Sequence, residues 1–397
     1  MFPYKIKEDF YYVGVNDRKT ELFERIIPIP YGVSYNSYLL VDEKVVLFDT
    51  VEMSFADNAI EKIKIALNDK KIDYLIIHHL EPDHTSGIKI YLNEFPEMQI
   101  ICSKRAKDML DGFYGISDKI ITVDDNSELS TGKHTLKFIY APMVHWPEVM
   151  MSYETTEKIL FSADAFGCFG TLDGRIFDNF IDPSIYDKYI EEMYRYYVNV
   201  VGKYGVPVQS TMKKFEGLQI NMICSLHGPI WIDSRESIFK LYDRLSRYEG
   251  EKGVVILYGS MYSNTEKMAE VVARGAYEAN AKVILHDVSK SDISFMITDC
   301  FRYSGLIIGS PTYNGTIFSK VQDILERLEL RGLKNRTFGS FGSYTWGGIA
   351  VRQLNEFSEK MKWDTVGSVE VKQSMKISDY QNFYNLGRSV GEKVAGL

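Results

Sequence analysis

The chain has only four cysteines in 397 residues, and Cys102, Cys168, Cys224 and Cys300 form no CxxC pair. That spacing argues against a disulfide framework or a thiolate iron site within this sequence, and such thiols belong to the buried interior. An excess of positive charge is also lacking. Asp and Glu number 54 against 46 Lys and Arg, a net charge of -8, which argues against nucleic acid as a main partner and suits transient meetings with other small proteins. No apolar run approaches the length of a bilayer span, so no membrane partner is expected. The first residues, Met1-Phe2-Pro3-Tyr4-Lys5, hold no apolar central segment and no small-residue cleavage site, and the expected compartment is the cytoplasm. There is no internal repeat and no low-complexity segment. The remainder is ordinary globular composition, 45% hydrophobic and 25% charged, over a length that one typical core does not accommodate, so two domains are expected.

The two halves have different grammar. Up to about residue 250, short β-like runs dominate: Tyr38 to Val41, Val45 to Asp49, Tyr74 to His78, Gln99 to Cys102 and Thr135 to Tyr140. Helical periodicity occurs at Ala56 to Leu67 and Ile185 to Val201, and a last amphipathic helix is predicted over Ser234 to Tyr248. This mix predicts sheets packed on each other and covered by helices. Glu249 to Gly253 is short, polar and turn-rich, the best linker candidate. From Val254 onward, strands at Val254 to Tyr258, Val283 to His286, Leu306 to Ile308, Thr337 to Phe341 and Val366 to Val371 alternate with helices. That alternation predicts a doubly wound parallel sheet of five strands.

Against this background one stretch stands out: His79-Leu80-Glu81-Pro82-Asp83-His84, four potential metal ligands in six residues, launched from the end of an apolar strand. His145, Asp164 and His227 repeat the pattern of an apolar run followed by a ligand-type residue. Each alone reads as a structural residue; together they favour a site where several strand ends meet. Four imidazoles and three carboxylates exceed the needs of one tetrahedral zinc and suit two metals with one carboxylate bridging. Nitrogen and oxygen donors without thiolate point to iron or manganese. His78, His134 and His286 read as core or supporting residues.

The second half carries another pattern. Strand Val254 to Tyr258 runs through Gly259 into Ser260-Met261-Tyr262-Ser263-Asn264-Thr265 at the start of a helix. Hydroxyls, an amide and free backbone N–H groups there make a neutral phosphate cradle. It lacks the Walker lysine and the GxGxxG of a dinucleotide fold, which disfavours ATP and NAD. Pro311-Thr312-Tyr313-Asn314-Gly315 and Ser343-Tyr344-Thr345-Trp346-Gly347-Gly348 follow the third and fourth strands. They bring aromatics that can flank a flat ring to the carboxyl edge of the sheet, where open sheets bind ligands.

On these motifs the chain resembles the flavodiiron proteins (A-type flavoproteins) over essentially its whole length. The resemblance implies α/β architecture: a metallo-β-lactamase-like αββα sandwich over residues 1–249, then a flavodoxin-like domain over 250–397. Zinc hydrolases of the first fold usually show H-x-H-x-D-H, whereas Glu81 holds the middle position here, as in the diiron branch. By carry-over, His79, Glu81 and His145 would bind one iron, Asp83, His84 and His227 the other, and Asp164 would bridge them. FMN would lie against the three loops of the second domain. Ser263 departs from the pattern, standing where the family often has glycine. The resemblance implies reduction of nitric oxide to nitrous oxide and/or dioxygen to water, with electrons from a separate rubredoxin or similar carrier. It also implies a head-to-tail homodimer, or a dimer of dimers, with the flavin of one copy beside the irons of the other. Two rivals stand beside it: a dinuclear metallohydrolase with a flavodoxin-like accessory domain, and a flavin electron carrier whose first domain is only a scaffold.

Overall fold

The computed structural model describes residues 2–180 and 182–396. The chain divides into two compact units, Met1–Asp243 and Arg244–Leu397.

The first unit is built on two sheets. The larger has seven strands in the order Tyr4–Lys5, Phe10–Tyr12, Tyr38–Val41, Val45–Phe48, Tyr74–Ile76, Gln99–Ser103 and Ile120–Val123. Its first pairings are antiparallel; from Val45–Phe48 onward they are parallel. The smaller sheet runs Glu128–Ser130, Thr135–Tyr140, Met150–Glu154, Ile159–Phe161 and Met222–Cys224, antiparallel except for its last pair. The strands of the central pairs are buried on both faces, as their near-continuous Val, Ile, Leu and Phe runs require. Phe161 joins the sheets, stacked on Phe48 at 4.0 Å and edge-on to Tyr38 at 5.5 Å between ring centroids. Helices such as Ala56–Leu67 bury one apolar stripe, here Ala56, Ala59, Ile60, Ile63 and Leu67, with Lys62 buried beside it. The result is a helix–sheet–sheet–helix sandwich, with the parallel strands of both sheets ending on the same kind of loop.

Two elements differ from the sequence expectation. The helix expected over Ile185 to Val201 runs as an α-helix only from Pro183 to Tyr196, and Tyr197–Val201 form a π-turn. Such a turn resets which side chains face inward, and it falls directly after Tyr196, a residue of the site described below. The strand expected through His78 ends at Ile76, because the His78 N–H is taken by the Asp49 carboxylate at 2.8 Å instead of a neighbouring strand.

The second unit holds five parallel strands in the order Val283–Asp287, Glu251–Tyr258, Tyr303–Tyr313, Thr337–Tyr344 and Asp364–Lys372. The first strand already begins at Glu251, inside the polar stretch expected as linker. Alternate residues Val254, Ile256 and Tyr258 join one core with Ile307, Phe341 and the helices Asn264–Glu278 and Tyr380–Ala395. Those two helices touch through backbone, since a side chain at Gly387 would collide with the Val272 carbonyl oxygen. The order reverses between the first and third strands, and the crevice at their carboxyl ends is where such sheets take a ligand.

Candidate metal centre and flavin cleft

The six-residue ligand stretch is held in place by its own backbone before any ion is considered. Asp49 accepts the His78 N–H and bonds the His78 ring at Nδ1, while Ser152 meets the other ring nitrogen at 2.9 Å. The Leu80 N–H donates to Glu148 at 2.8 Å. Pro82 opens a one-turn helix, Pro82–Thr85, suited to its fixed φ and missing N–H. The Thr85 hydroxyl reaches the carbonyls of Leu80 and Glu81, and the Thr50 hydroxyl donates to that of His84. His145 lies in the loop after Thr135–Tyr140, Asp164 just beyond Ile159–Phe161, and His227 just beyond Met222–Cys224. Gly228 follows at φ +78°, where any side chain would strike Cys168. His227 Nδ1 donates to the Ser34 carbonyl at 2.8 Å, which fixes the tautomer that turns Nε2 inward.

All seven side chains singled out in the sequence converge, in two groups: His79, Glu81, His145 and Asp164, and Asp83, His84 and His227. Asp164 spans them. Its Oδ2 lies 3.1 Å from His145 Nε2 and 3.3 Å from His79 Nε2, whereas its Oδ1 lies 3.4 Å from His84 Nε2 and 3.8 Å from His227 Nε2. His145 Nε2 is 2.9 Å from Glu81, and Asp83 Oδ2 is 3.3 Å from both His84 and His227. Both Asp83 oxygens and Asp164 Oδ1 are buried with no hydrogen-bond partner. Buried carboxylate oxygens without donors, facing imidazole nitrogens, are the donor set of a pair of cations with nitrogen and oxygen preference. The four cysteines are buried and take no part. The residues fit a dinuclear non-haem iron centre.

Three residues that sequence reasoning did not single out belong to this site. The Tyr196 hydroxyl donates to Asp164 Oδ2 at 2.7 Å. Glu24, at the tip of the small hairpin Leu22–Phe23/Ile27–Pro28, has its carboxyl pushed up to about 7 by burial and then by Glu81. Glu148 holds Leu80. Each stands alone in sequence as an ordinary Tyr or Glu, with no ligand spacing to flag it.

Electrostatics give a pH prediction. Burial disfavours charge on the imidazoles, yet the neighbouring carboxylates outweigh it. His145 is raised to about 10 by Asp164 and Glu81, His79 well above its usual value by the same pair, and His227 upward by Asp164 and Asp83. Conversely, the imidazoles hold Asp164 well below the usual carboxylate range despite its burial. The raised histidines stabilise the metal-free fold fully below about 6.5, their unfolded value, and that contribution is lost as pH rises through their raised folded values, about 10 for His145. The Asp164 contribution is present above about 4 and lost on acidification. At neutral pH, metal must therefore displace protons from these imidazoles, so uptake should release protons and tighten as pH rises. Calorimetry in two buffers of different ionisation enthalpy reads this directly; uptake without proton release would contradict the electrostatics.

In the second unit, the loops after the first, third and fourth strands enclose a cleft of about 330 Å³, within the range of small-ligand sites. Ser260, Met261, Tyr262, Asn264, Thr265, Pro311, Thr312, Ser343, Tyr344 and Thr345 line it. Gln373 and Ser374, after the fifth strand, also line it and were not foreseen; they occupy the same carboxyl edge as the other loops, which is the signal that could have found them. Ser263, Tyr313, Asn314, Gly315, Trp346, Gly347 and Gly348 lie in the loops without lining the cleft, and Tyr262 and Trp346 are almost fully exposed. Ser263 sits at φ +60°, the left-handed region that favours glycine, which is why the family often has glycine there; the serine adopts the same backbone conformation. Asn264 ties the loops together, donating to the Gln373 carbonyl at 2.7 Å and to Ser343 at 3.3 Å. Ser260 Oγ is buried without a partner beside the N-terminus of helix Asn264–Glu278, the arrangement a phosphate satisfies.

A family model described as ODP family beta lactamase matches residues 33–228, and a flavodoxin model matches residues 256–386. Fold and site thus define a class: a β-lactamase-fold metal domain with a two-cation donor set, followed by a flavodoxin domain. A nitric oxide reductase of Moorella thermoacetica is 31% identical over 399 residues, 99% of each chain. An anaerobic nitric oxide reductase flavorubredoxin of Vibrio vulnificus is 30% identical over 378 residues, 92% of this chain and 75% of its own. Among solved structures, the rubredoxin oxygen:oxidoreductase of Desulfovibrio gigas matches with a TM-score of 0.93 at 28% identity, covering 99% of both chains. The flavodiiron protein of Giardia intestinalis matches with a TM-score of 0.93 at 27% identity, covering 100% of this chain and 97% of its own. The chain belongs to the flavodiiron protein family.

Proposed function

We propose that this chain is an FMN- and diiron-dependent reductase. It converts nitric oxide to nitrous oxide and water and/or dioxygen to water, with electrons from a separate rubredoxin-type carrier. The observation that carries this reading is the split of the donor set into two groups around Asp164, on a chain that also holds a flavin cleft. His79, Glu81 and His145 would hold one iron, Asp83, His84 and His227 the other, with Asp164 between them. The three loops, together with Gln373 and Ser374, would hold FMN. When bound, the iron pair supplies two electrons at once to a small gas, and FMN replenishes them.

The chain's own residues supply position and protons. The Ser34 carbonyl keeps the His227 tautomer, and Tyr196 orients the Asp164 carboxylate. Both reactions consume protons. Glu24, whose carboxyl burial and the neighbouring Glu81 raise in the metal-free chain, is the acid placed to hold one at the site, and burial with Asp164 alongside keeps the Tyr196 hydroxyl protonated. In this reading the chain acts as a head-to-tail homodimer, or a dimer of such dimers, with the flavin of one copy beside the irons of its partner. The hydrolase alternative is not favoured: Glu81 replaces the histidine usual in zinc hydrolases, and the Moorella relative and the Desulfovibrio gigas structure, each matched over 99% of this chain, are named as a nitric oxide reductase and a rubredoxin oxygen:oxidoreductase.

The test is anaerobic turnover of the iron- and FMN-loaded protein with reduced rubredoxin, supplying nitric oxide and dioxygen separately. Rapid loss of at least one gas is expected. No consumption of either, with both cofactors verified as bound, would overturn the proposal.

A further inference from the structure

Among the described residues, eight acidic side chains are fully or almost fully buried: Asp17, Asp49, Glu81, Glu148, Glu154, Asp164, Asp178 and Glu192. Most have found donors. Asp178 takes three backbone N–H groups, Glu154 takes two and His134, Glu192 takes Arg195, and Asp49 takes His78. Only Asp164 and Glu148 keep an oxygen with no partner among the described residues. For Asp164 the bridging position explains it.

Glu148 has no such explanation within the chain. It is 2% exposed. Its Oε1 accepts the Leu80 N–H, while Oε2 is buried and free, and no basic side chain lies within ion-pair distance among the described residues. A carboxylate in such a place is costly unless a positive charge lies nearby. Leu80 sits between ligand candidates His79 and Glu81, and Glu148 itself is three residues beyond His145. The Arg105 guanidinium reaches only the Pro147 carbonyl, at 3.5 Å, and makes no ion pair with Glu148; the metal centre, joined to Glu148 through Leu80, is the charge that the buried carboxylate is placed to balance. Two divalent cations outweigh Glu81, Asp83 and Asp164 by one unit of charge, and oxidation adds more.

We propose that Glu148 is the outer counter-charge of the two-metal centre and, through the Leu80 N–H, the positioning residue of the His79–Glu81 segment. This rests on the two-metal reading of the site. A carboxylate close to the ions favours their binding and favours the more positive, oxidised pair over the reduced one, so it lowers the reduction potential. In the metal-free chain the same charge is a liability. Glu148 thus has opposite effects on the loaded and the empty protein, which a merely space-filling residue does not have.

The test uses the full chain, wild type, Glu148→Gln and Glu148→Ala. Glutamine keeps the volume and an oxygen to accept the Leu80 N–H, and removes only the charge. Wild-type binding of two metals is established first by titration with ferrous iron and with Zn²⁺ as a redox-inert probe; failure there defeats the two-metal reading itself. Given binding, Glu148→Gln is expected to weaken the affinity for both metals by about 10- to 100-fold, the range for outer partners of metal ligands. Its metal-free form should melt at the wild-type temperature or above. The potential of the iron pair, followed by spectroscopic redox titration, should rise. Glu148→Ala, which also loses the Leu80 bond, should bind metal more weakly still; if it fails to fold, Glu148→Gln decides alone. A Glu148→Gln protein that melts lower when metal-free, with affinity and potential unchanged, would make Glu148 a structural residue only and overturn the inference.

Discussion

Asp164→Ala is expected to lower gas reduction by more than about 100-fold, beyond what loss of an outer partner alone costs at a metal site, while the flavin stays bound and reducible. The reason is the division of labour between the two oxygens of Asp164. Oδ2 faces His79 and His145, and Oδ1 faces His84 and His227. No other described side chain faces both groups in this way, so its loss separates them. It also removes the charge that raises His79, His145 and His227, and leaves the Tyr196 hydroxyl without its acceptor. Asp164→Asn preserves the shape and tests the charge alone. Iron analysis and turnover on both variants check the expectation: iron content should fall below two per chain, with FMN content unchanged. Full iron and full activity in Asp164→Ala would remove the bridge from the account.

Asn264→Asp should have the converse phenotype, intact metals and lost flavin. Asn264 Nδ2 donates to the Gln373 carbonyl and to Ser343, joining three of the loops that enclose the cleft. A carboxylate cannot donate, so the exposed bond to the Gln373 carbonyl is lost, at a cost of about 0.5–1.5 kcal/mol. The new negative charge also stands at the helix N-terminus where the phosphate is expected, opposing the attraction that site offers. Together these predict FMN affinity reduced by about 10-fold, one decade for every 1.4 kcal/mol, read by fluorescence titration of the flavin-free protein. Unchanged affinity would mean that the phosphate lies elsewhere. The pair of variants also tests assembly. In a mixed head-to-tail dimer, the flavin of the Asp164→Ala chain meets the metals of the Asn264→Asp chain, so partial activity should return on mixing and subunit exchange. A dimer with self-contained sites would stay inactive.

Legibility in the sequence followed the range over which each signal acts. The helix Ala56–Leu67 and the strand Thr135–Tyr140 could be read residue by residue, because apolar periodicity reports which face is buried. The convergence of His79, Glu81, Asp83, His84, His145, Asp164 and His227 was legible because strand ends announce themselves and the ligand types are chemically rare there. Tyr196, Glu24 and Glu148 were not, since their roles depend on long-range approach and not on spacing. Tyr196 meets Asp164 across 32 positions of sequence. Gln373 and Ser374 carry no local ligand signature; they reach the cleft only because strand Asp364–Lys372 ends at the same edge of the sheet as the other loops. The strand ending at Ile76 rather than His78 reflects a side chain, Asp49, taking a backbone N–H that periodicity would give to a neighbouring strand.

The central claim is that two irons sit on either side of Asp164. Anomalous X-ray diffraction from crystals of the iron-loaded protein, recorded at the iron absorption edge, tests it most directly. The account predicts two peaks, one among His79, Glu81 and His145 and one among Asp83, His84 and His227, each next to its own oxygen of Asp164. A single peak, or a signal only at the zinc edge, would contradict it.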